Sequence, residues 1–217
     1  MLTKRLTKLI SVLPHCDVLC DVGCDHGYVG IEALSRSIAK NVIFVDVSAK
    51  SLDKARQNCP EEYLPFAEFV CCDGLGSIVC DTAIIAGMGG LEIVSILNNA
   101  KFTPDQLVLQ PMRNQKDVRE YLTQNYEIIS DEKFHDYKFY DLIVAKKHDK
   151  PTKLTDLELE FGKTNLKSPS QDFIDYLDAE LTKTKNIPIF NGDATLQARA
   201  TLLEQMLAEF SAKRRKN

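Results

Sequence analysis

Residues 20–31 read Cys20-Asp21-Val22-Gly23-Cys24-Asp25-His26-Gly27-Tyr28-Val29-Gly30-Ile31. A strand-like run from Asp17 to Val22 passes straight into a glycine-spaced turn and then into a segment with helical apolar periodicity. Gly23, Gly27 and Gly30 give G-x-x-x-G-x-x-G, not the G-x-G-x-x-G that brings a dinucleotide pyrophosphate onto a helix N-terminus. Asp21 and Asp25 on the same loop would repel a pyrophosphate, but they suit a ligand bearing a cationic amine.

Outward from this loop the chain alternates strands and helices. Strands are expected at Val42–Val45, Ala67–Cys71, Thr82–Ala86 and Gln106–Leu109, and helices at Tyr28–Ile38, Ala49–Asn58, Leu91–Asn98 and Gln115–Gln124. Two further β-like runs, Tyr126–Phe134 and Phe139–Lys146, flank the polar turn His135-Asp136-Tyr137 and read as a terminal hairpin. Ahead of it all, a helix is expected over Thr3–Leu13 with Thr3 as its cap, and Leu2, just before it, falls on the same face as Leu6, Leu9, Ile10 and Leu13. The sum is an α/β fold with seven strands, mostly parallel, and a reversed strand at one edge. Residues 1–150 form this domain and residues 151–217 a second, helical one. There the leucines and phenylalanines keep helical spacing, and Ser168-Pro169 predicts a helix start. Three helical segments are expected, packed as an antiparallel, coiled-coil-like module.

In an open α/β sheet the ligand lies beyond the carboxyl ends of the strands, so each strand end is a candidate contact. At the first, Gly23 lets the backbone pass close to the ligand, Gly27 opens the helix without obstruction, and Asp21 or Asp25 accepts from an ammonium. Asp46, with Val47 beside it, stands 25 positions after Asp21, near the interval at which an acid meets ribose hydroxyls. Asp73 can accept from an adenine amino group, Gly74 leaves room for the ring and Leu75 can pack on its face. Gly87, Met88 and Gly89 leave a backbone-lined opening for a planar base, with Met88 as an apolar wall. A ligand with an amine, a ribose, an adenine and a further cationic centre is S-adenosylmethionine. The fifth strand ends in Gln110-Pro111-Met112-Arg113-Asn114, an amide and a guanidinium at the same rim.

The net charge is −4, which gives no sign of the strongly basic footprint of a nucleic-acid-binding domain. Cations nevertheless gather at Lys4-Arg5-Lys8, at Lys146-Lys147-Lys150-Lys153 and at Lys213-Arg214-Arg215-Lys216. The seven cysteines are odd in number, form no C-x-x-C pair and have no histidines at zinc-finger spacing, so no metal is expected. No stretch resembles a secretion signal or a membrane span, and a cytoplasmic protein, a monomer rather than an oligomer, is expected.

Taken together, Leu2–Ile10, Asp21-Val-Gly-Cys-Asp-His-Gly-Tyr28, Gly74-Leu75, Ile85-Ala-Gly-Met-Gly-Gly90 and Leu109-Gln-Pro111 resemble the bacterial tRNA (adenine(22)-N(1))-methyltransferases. The resemblance implies a Rossmann-like class I methyltransferase domain with a C-terminal helical domain. It implies in-line methyl transfer from S-adenosylmethionine to adenine N(1) of tRNA, giving 1-methyladenosine and S-adenosylhomocysteine. Asp25 and His26 would face the methyl donor, His26 either catalytically or as a cap on the loop. Tyr28 would stack on or position the base, and Gln110 would contact it at the rim. Lys4, Arg5, Lys8 and Lys153 would meet phosphates, and Arg113 and Asn114 the RNA at the rim. The chain departs from the family pattern at Asp46, where Glu is common, and at Met112, where Asn is common. Rival readings are a methyltransferase of another RNA base or of a small molecule, a non-catalytic module that binds the donor or RNA, and a dehydrogenase, which the glycine spacing disfavours.

Overall fold

The computed structural model describes residues 2–214, and the side chains of the Lys213-Arg214-Arg215-Lys216 cluster lie outside the described residues. The quoted loop leaves strand β1 (Cys16–Val22), whose last four residues are all buried. β1 sits near the middle of a sheet completed by β2 (Ala39–Asp46), β3 (Ala67–Cys71), β4 (Thr82–Met88), β5 (Gln106–Pro111), β6 (Tyr126–Asp136) and β7 (Lys138–Lys147), in the order β3-β2-β1-β4-β5-β7-β6. β1 to β5 are parallel, and β7 runs antiparallel to both β5 and β6. The order reverses direction between β1 and β4, and a crevice opens at their carboxyl ends.

Alternation along the strands feeds two cores. Leu19, Val42, Phe44, Ile84 and Val108 face helices α1 (Lys4–Ser11), α2 (Tyr28–Ser35) and α3 (Ala49–Asn58). Cys20, Val22, Val45, Ile85 and Leu109 face α4 (Gly90–Asn98) and α5 (Gln115–Asn125). Burying each such aliphatic or aromatic side chain contributes about 1.5–3 kcal/mol, so both faces of the sheet are committed. All seven cysteines are free thiols. Among the described residues no helix is long and apolar enough to cross a membrane.

Several boundaries differ from the sequence expectation. α2 stops at Ser35 because Ser37 takes a left-handed backbone (φ 55), which turns the chain into β2 three residues earlier than its apolar run implies. The hairpin is tighter than the polar triplet indicates: Asp136 pairs with Lys138, and Tyr137 alone occupies the tip. Among the described residues four α-helices follow β7, not three: α6 (Asp156–Phe161), α7 (Lys163–Lys167), α8 (Gln171–Lys185) and α9 (Ala194–Arg214). The cap of α8 is Ser170, whose hydroxyl accepts from the Phe173 N–H at 3.1 Å, and not Ser168. α8 and α9 form an antiparallel hairpin around Phe161, Phe173, Leu177, Leu203, Met206 and Phe210.

The helical segment is fastened to the sheet by buried charge. Arg119 of α5, fully buried, donates to Asp131 of β6 from Nε (2.7 Å) and Nη2 (2.9 Å), to Asp141 of β7 (2.8 Å), and through Nη1 to the carbonyls of Leu159 and Glu160 at the end of α6. Lys133 also pairs with Asp141, and its ammonium lies 4.0 Å from the centre of the Tyr176 ring on α8. Burial pushes the Asp141 carboxyl up, but Lys133 and Arg119 outweigh it and hold the group below its ordinary value.

Candidate active site

Two cavities lie at the carboxyl ends of β1 and β4. The larger, about 400 Å³, is walled by the β1 loop, the start of α2 and helix α1. The smaller, about 260 Å³, lies over the ends of β2 and β3. They share Val22, Gly23, Ala86 and Gly87, so one elongated ligand can reach both. Gly23 has φ 70 and the thioether methyl of Met88 rests against it, where any Cβ would stand. A methionine side chain turns about three single bonds, so this partition moves at little cost.

In the smaller cavity, Asp46 lines the wall at the end of β2. Its Oδ1 accepts from the Ser48 N–H (2.9 Å) and its Oδ2 from the Asp25 N–H (3.2 Å), which leaves lone pairs on both oxygens. Val47, Cys72, Asp73, Gly74, Met88 and Ile96 complete the wall. Leu75 does not belong to it. Expected to pack on the ring, Leu75 is instead 1% exposed and sits in the core under α4, and Ile96 takes the apolar place. Glu92, from the first turn of α4, also lines this cavity and was not singled out from the sequence. Glu92 and Ile96 read there only as part of an amphipathic helix.

The larger cavity holds opposite charges. Asp21 points toward α2 and accepts the Gly30 N–H at 3.0 Å. Its carboxyl is pushed up to about 7, chiefly by burial, with the Gly30 N–H drawing it down and the nearby Asp46 charge adding to the rise. Across the cavity stands Arg5 from α1. The sequence reading placed Arg5 on a phosphate-binding face, but its Nε donates to Gln110 Oε1 (2.8 Å), its backbone N–H donates to Asp136 (2.7 Å), and its guanidinium lies beside Gly87 and 5.6 Å from the centre of the Tyr140 ring. Gln110, expected at the rim, is itself fully buried and bears on the cavity through Arg5. Its Nε2 donates to the Met112 sulfur at 3.2 Å, so methionine serves as an acceptor at this unusual position.

Asp25, His26 and Tyr28 line the mouth of the larger cavity. Asp25 has φ 45, and its carboxylate contacts His26 Nδ1 (2.6 Å) and Lys54 Nζ (3.5 Å). His26 stacks on Tyr28 at 5.4 Å. Gly27, expected to face the ligand, lies away from both cavities. It caps α2 at φ 72, and a Cβ there would strike Ala55 of α3 and the Phe44 ring. Gly89 is likewise covered, by the Arg113 side chain. Lys4 faces Asp172 (3.8 Å) and Lys8 is bonded to Glu132 (2.7 Å), so each of the N-terminal cations already has a partner within the protein. Arg113, Asn114 and Lys153 are exposed, and Asn114 starts α5 at φ 56. Among the described residues no group of histidine, cysteine, aspartate and glutamate side chains could hold a metal ion.

A doubly wound sheet with a crevice lined by acids at successive strand ends defines a nucleoside-binding class of enzyme folds. Residues 2–143 match the family model described as a methyltransferase domain, and the chain belongs to that family. It is 29% identical over 170 residues to the tRNA (adenine(22)-N(1))-methyltransferase of Bacillus subtilis, covering 74% of this chain and 71% of that one. A Streptococcus pneumoniae protein solved in complex with S-adenosyl-L-methionine superposes with a TM-score of 0.84 at 25% identity, over 95% of this chain and all of the other. A protein of the NADB-Rossmann superfamily from Streptococcus agalactiae gives 0.84 at 29% identity, over 95% and 97% of the two chains.

Proposed function

We propose that the protein is an S-adenosylmethionine-dependent tRNA (adenine(22)-N(1))-methyltransferase that works on tRNA in the cytoplasm. The observation that carries this reading is the two-cavity crevice, whose charges match the donor group by group. Adenine fits between Asp73, Gly74 and Ile96, the ribose diol meets Asp46, and the methionine end enters the larger cavity. That end is a zwitterion, and the cavity offers one partner of each sign: Asp21 for the ammonium and Arg5 for the carboxylate. Gln110 positions Arg5 by accepting its Nε–H. When bound, S-adenosylmethionine supplies an electrophilic methyl group on a sulfonium.

Adenine N(1) is unprotonated at neutral pH and carries an in-plane lone pair, so the protein has chiefly to orient the base and accommodate the positive charge it gains. Tyr28, 46% exposed and backed by His26, offers a ring face for that base at the cavity mouth. Asp25, held at the same mouth, is the acidic group placed to offset the new charge. An adenine within folded tRNA must leave its stack to reach this position. The resemblance to the Bacillus subtilis enzyme supports the substrate and its position.

The Asp21 carboxyl makes donor binding depend on pH. Its pKa is raised in the fold, so the neutral acid is favoured; that contribution to stability is complete below about pH 4 and is lost as pH rises through about 7. An ammonium needs the ionised form. Donor affinity, followed by calorimetric titration, is therefore expected to increase from about pH 5.5 to 7, below the range of about 7.7–8.0 in which an α-amino group is half deprotonated. An affinity flat between about pH 5.5 and 7 would remove Asp21 from the ammonium site.

Incubation with methyl-labelled donor and bulk tRNA tests the activity itself. Label in the tRNA is the expected result. Donor bound tightly but never transferred would leave only a binding module, and label on a small molecule alone would move the enzyme to another substrate class.

A further inference from the structure

Tyr137 is 97% exposed, more than any other large apolar side chain described as exposed. It also holds a left-handed backbone, φ 60. Aspartate, serine and asparagine fill the other positive-φ positions outside glycine among the described residues, and small polar residues tolerate that region. A bulky aromatic residue there strains the backbone, and a fully solvated ring returns no packing to offset it.

The strand ends beneath this tip are fixed on both sides. Asp136 accepts the backbone N–H of Arg5, one of the α1 residues that line the larger cavity. The His135 N–H donates to Asp172 of α8 at 2.9 Å, and His135 and Phe139 pack together at 4.9 Å between ring centres. Lys138 follows directly, its ammonium 5.4 Å from the centre of the Tyr140 ring, and Arg5 lies near the same ring. A hairpin anchored on both strands thus projects one unsupported aromatic ring from a base tied to the wall of the active-site cavity.

Resting on the reading of the protein as a tRNA methyltransferase, we propose that Tyr137 is an RNA-stacking residue: its ring packs on an unpaired or displaced base beside the adenine that enters the cavity. Every base has an open π-face, and a solvated aromatic ring is a surface on which single-stranded RNA stacks. The positive φ gives a test that separates this role from a structural one. Glycine relieves the backbone, so Tyr137→Gly should melt about 2–4 °C higher than the parent. In the same variant the KM for tRNA should rise about tenfold while S-adenosylmethionine affinity stays unchanged, and Tyr137→Phe, which keeps the ring, should keep the parental KM. A Tyr137→Gly protein with the parental KM for tRNA overturns the proposal, as does one in which melting temperature and tRNA affinity fall together. Since the parent is assayed alongside, parental methylation of tRNA with no effect of the glycine variant refutes only the stacking role. A parent that does not methylate tRNA refutes both that role and the function on which it rests.

Discussion

Replacement of Asp46 by alanine is expected to weaken S-adenosylmethionine binding by about two orders of magnitude while the protein stays folded. Hydrogen bonds to a charged acceptor are worth about 1.5–3 kcal/mol each, and a ribose diol would make two. Even a combined loss near 3 kcal/mol is about a hundredfold in affinity. The carboxylate also receives the Ser48 and Asp25 N–H groups, so its removal loosens the loop that carries Asp25 and His26. A second effect follows from the charge that Asp46 places on Asp21. Without it the Asp21 carboxyl falls from about 7, and the rise in donor affinity shifts to lower pH. Calorimetric titration of Asp46→Ala and Asp46→Asn at several pH values reads both. An unchanged affinity in the alanine variant would take the ribose away from β2.

Arg119→Met should have the largest effect on stability. It leaves Asp131 buried without its directly bonded cation, with only the charge of Lys133 nearby, takes one of two partners from Asp141, and frees the two carbonyls at the end of α6. Breaking a buried ion pair from one side costs about 3–5 kcal/mol, because the remaining charge stays out of water. In a chain of this size that lowers the melting temperature by roughly 10 °C. The close approach of Gly162 to the Asp131 carboxylate adds to the strictness of the site, since the α6–α7 turn leaves that group no room to move. A variant in which Arg119 and Asp131 are both replaced by apolar residues should recover part of the loss, as the uncompensated charge goes with its partner. Thermal denaturation of the two variants decides the matter. Equal losses in both would mean that packing rather than charge holds the helical segment to the sheet.

The parts of the fold and site that could be read in the sequence are those governed by short-range grammar. The β1 loop announces itself because strand, glycine spacing and carboxylates are contiguous, and Asp46 and Asp73 follow from their places at strand ends. Arg5 shows the limit. On helical spacing it belongs with Lys4 and Lys8, and only the docking of α1 across β5 and the β6–β7 hairpin turns it toward Gln110 and the cavity. At Gly27 the sequence is ambiguous, because a glycine in such a loop serves the approach of a ligand or of another helix and its neighbours are the same in both cases. The position of Ala55 and Phe44 decides it. The Arg119 network was not legible at all, since Asp131, Lys133 and Asp141 alternate along a hairpin in the manner of a solvated face. Tyr137 reads in sequence as an ordinary turn residue; its left-handed backbone and full exposure belong to the folded hairpin.

The most direct measurement is nucleoside mapping of tRNA after reaction with the purified protein and S-adenosylmethionine. The expected result is 1-methyladenosine at position 22 and at no other position, absent from a transcript with that adenine replaced. Methylation of any other base, or of adenine on its exocyclic amine, would contradict the function proposed from the crevice between β1 and β4.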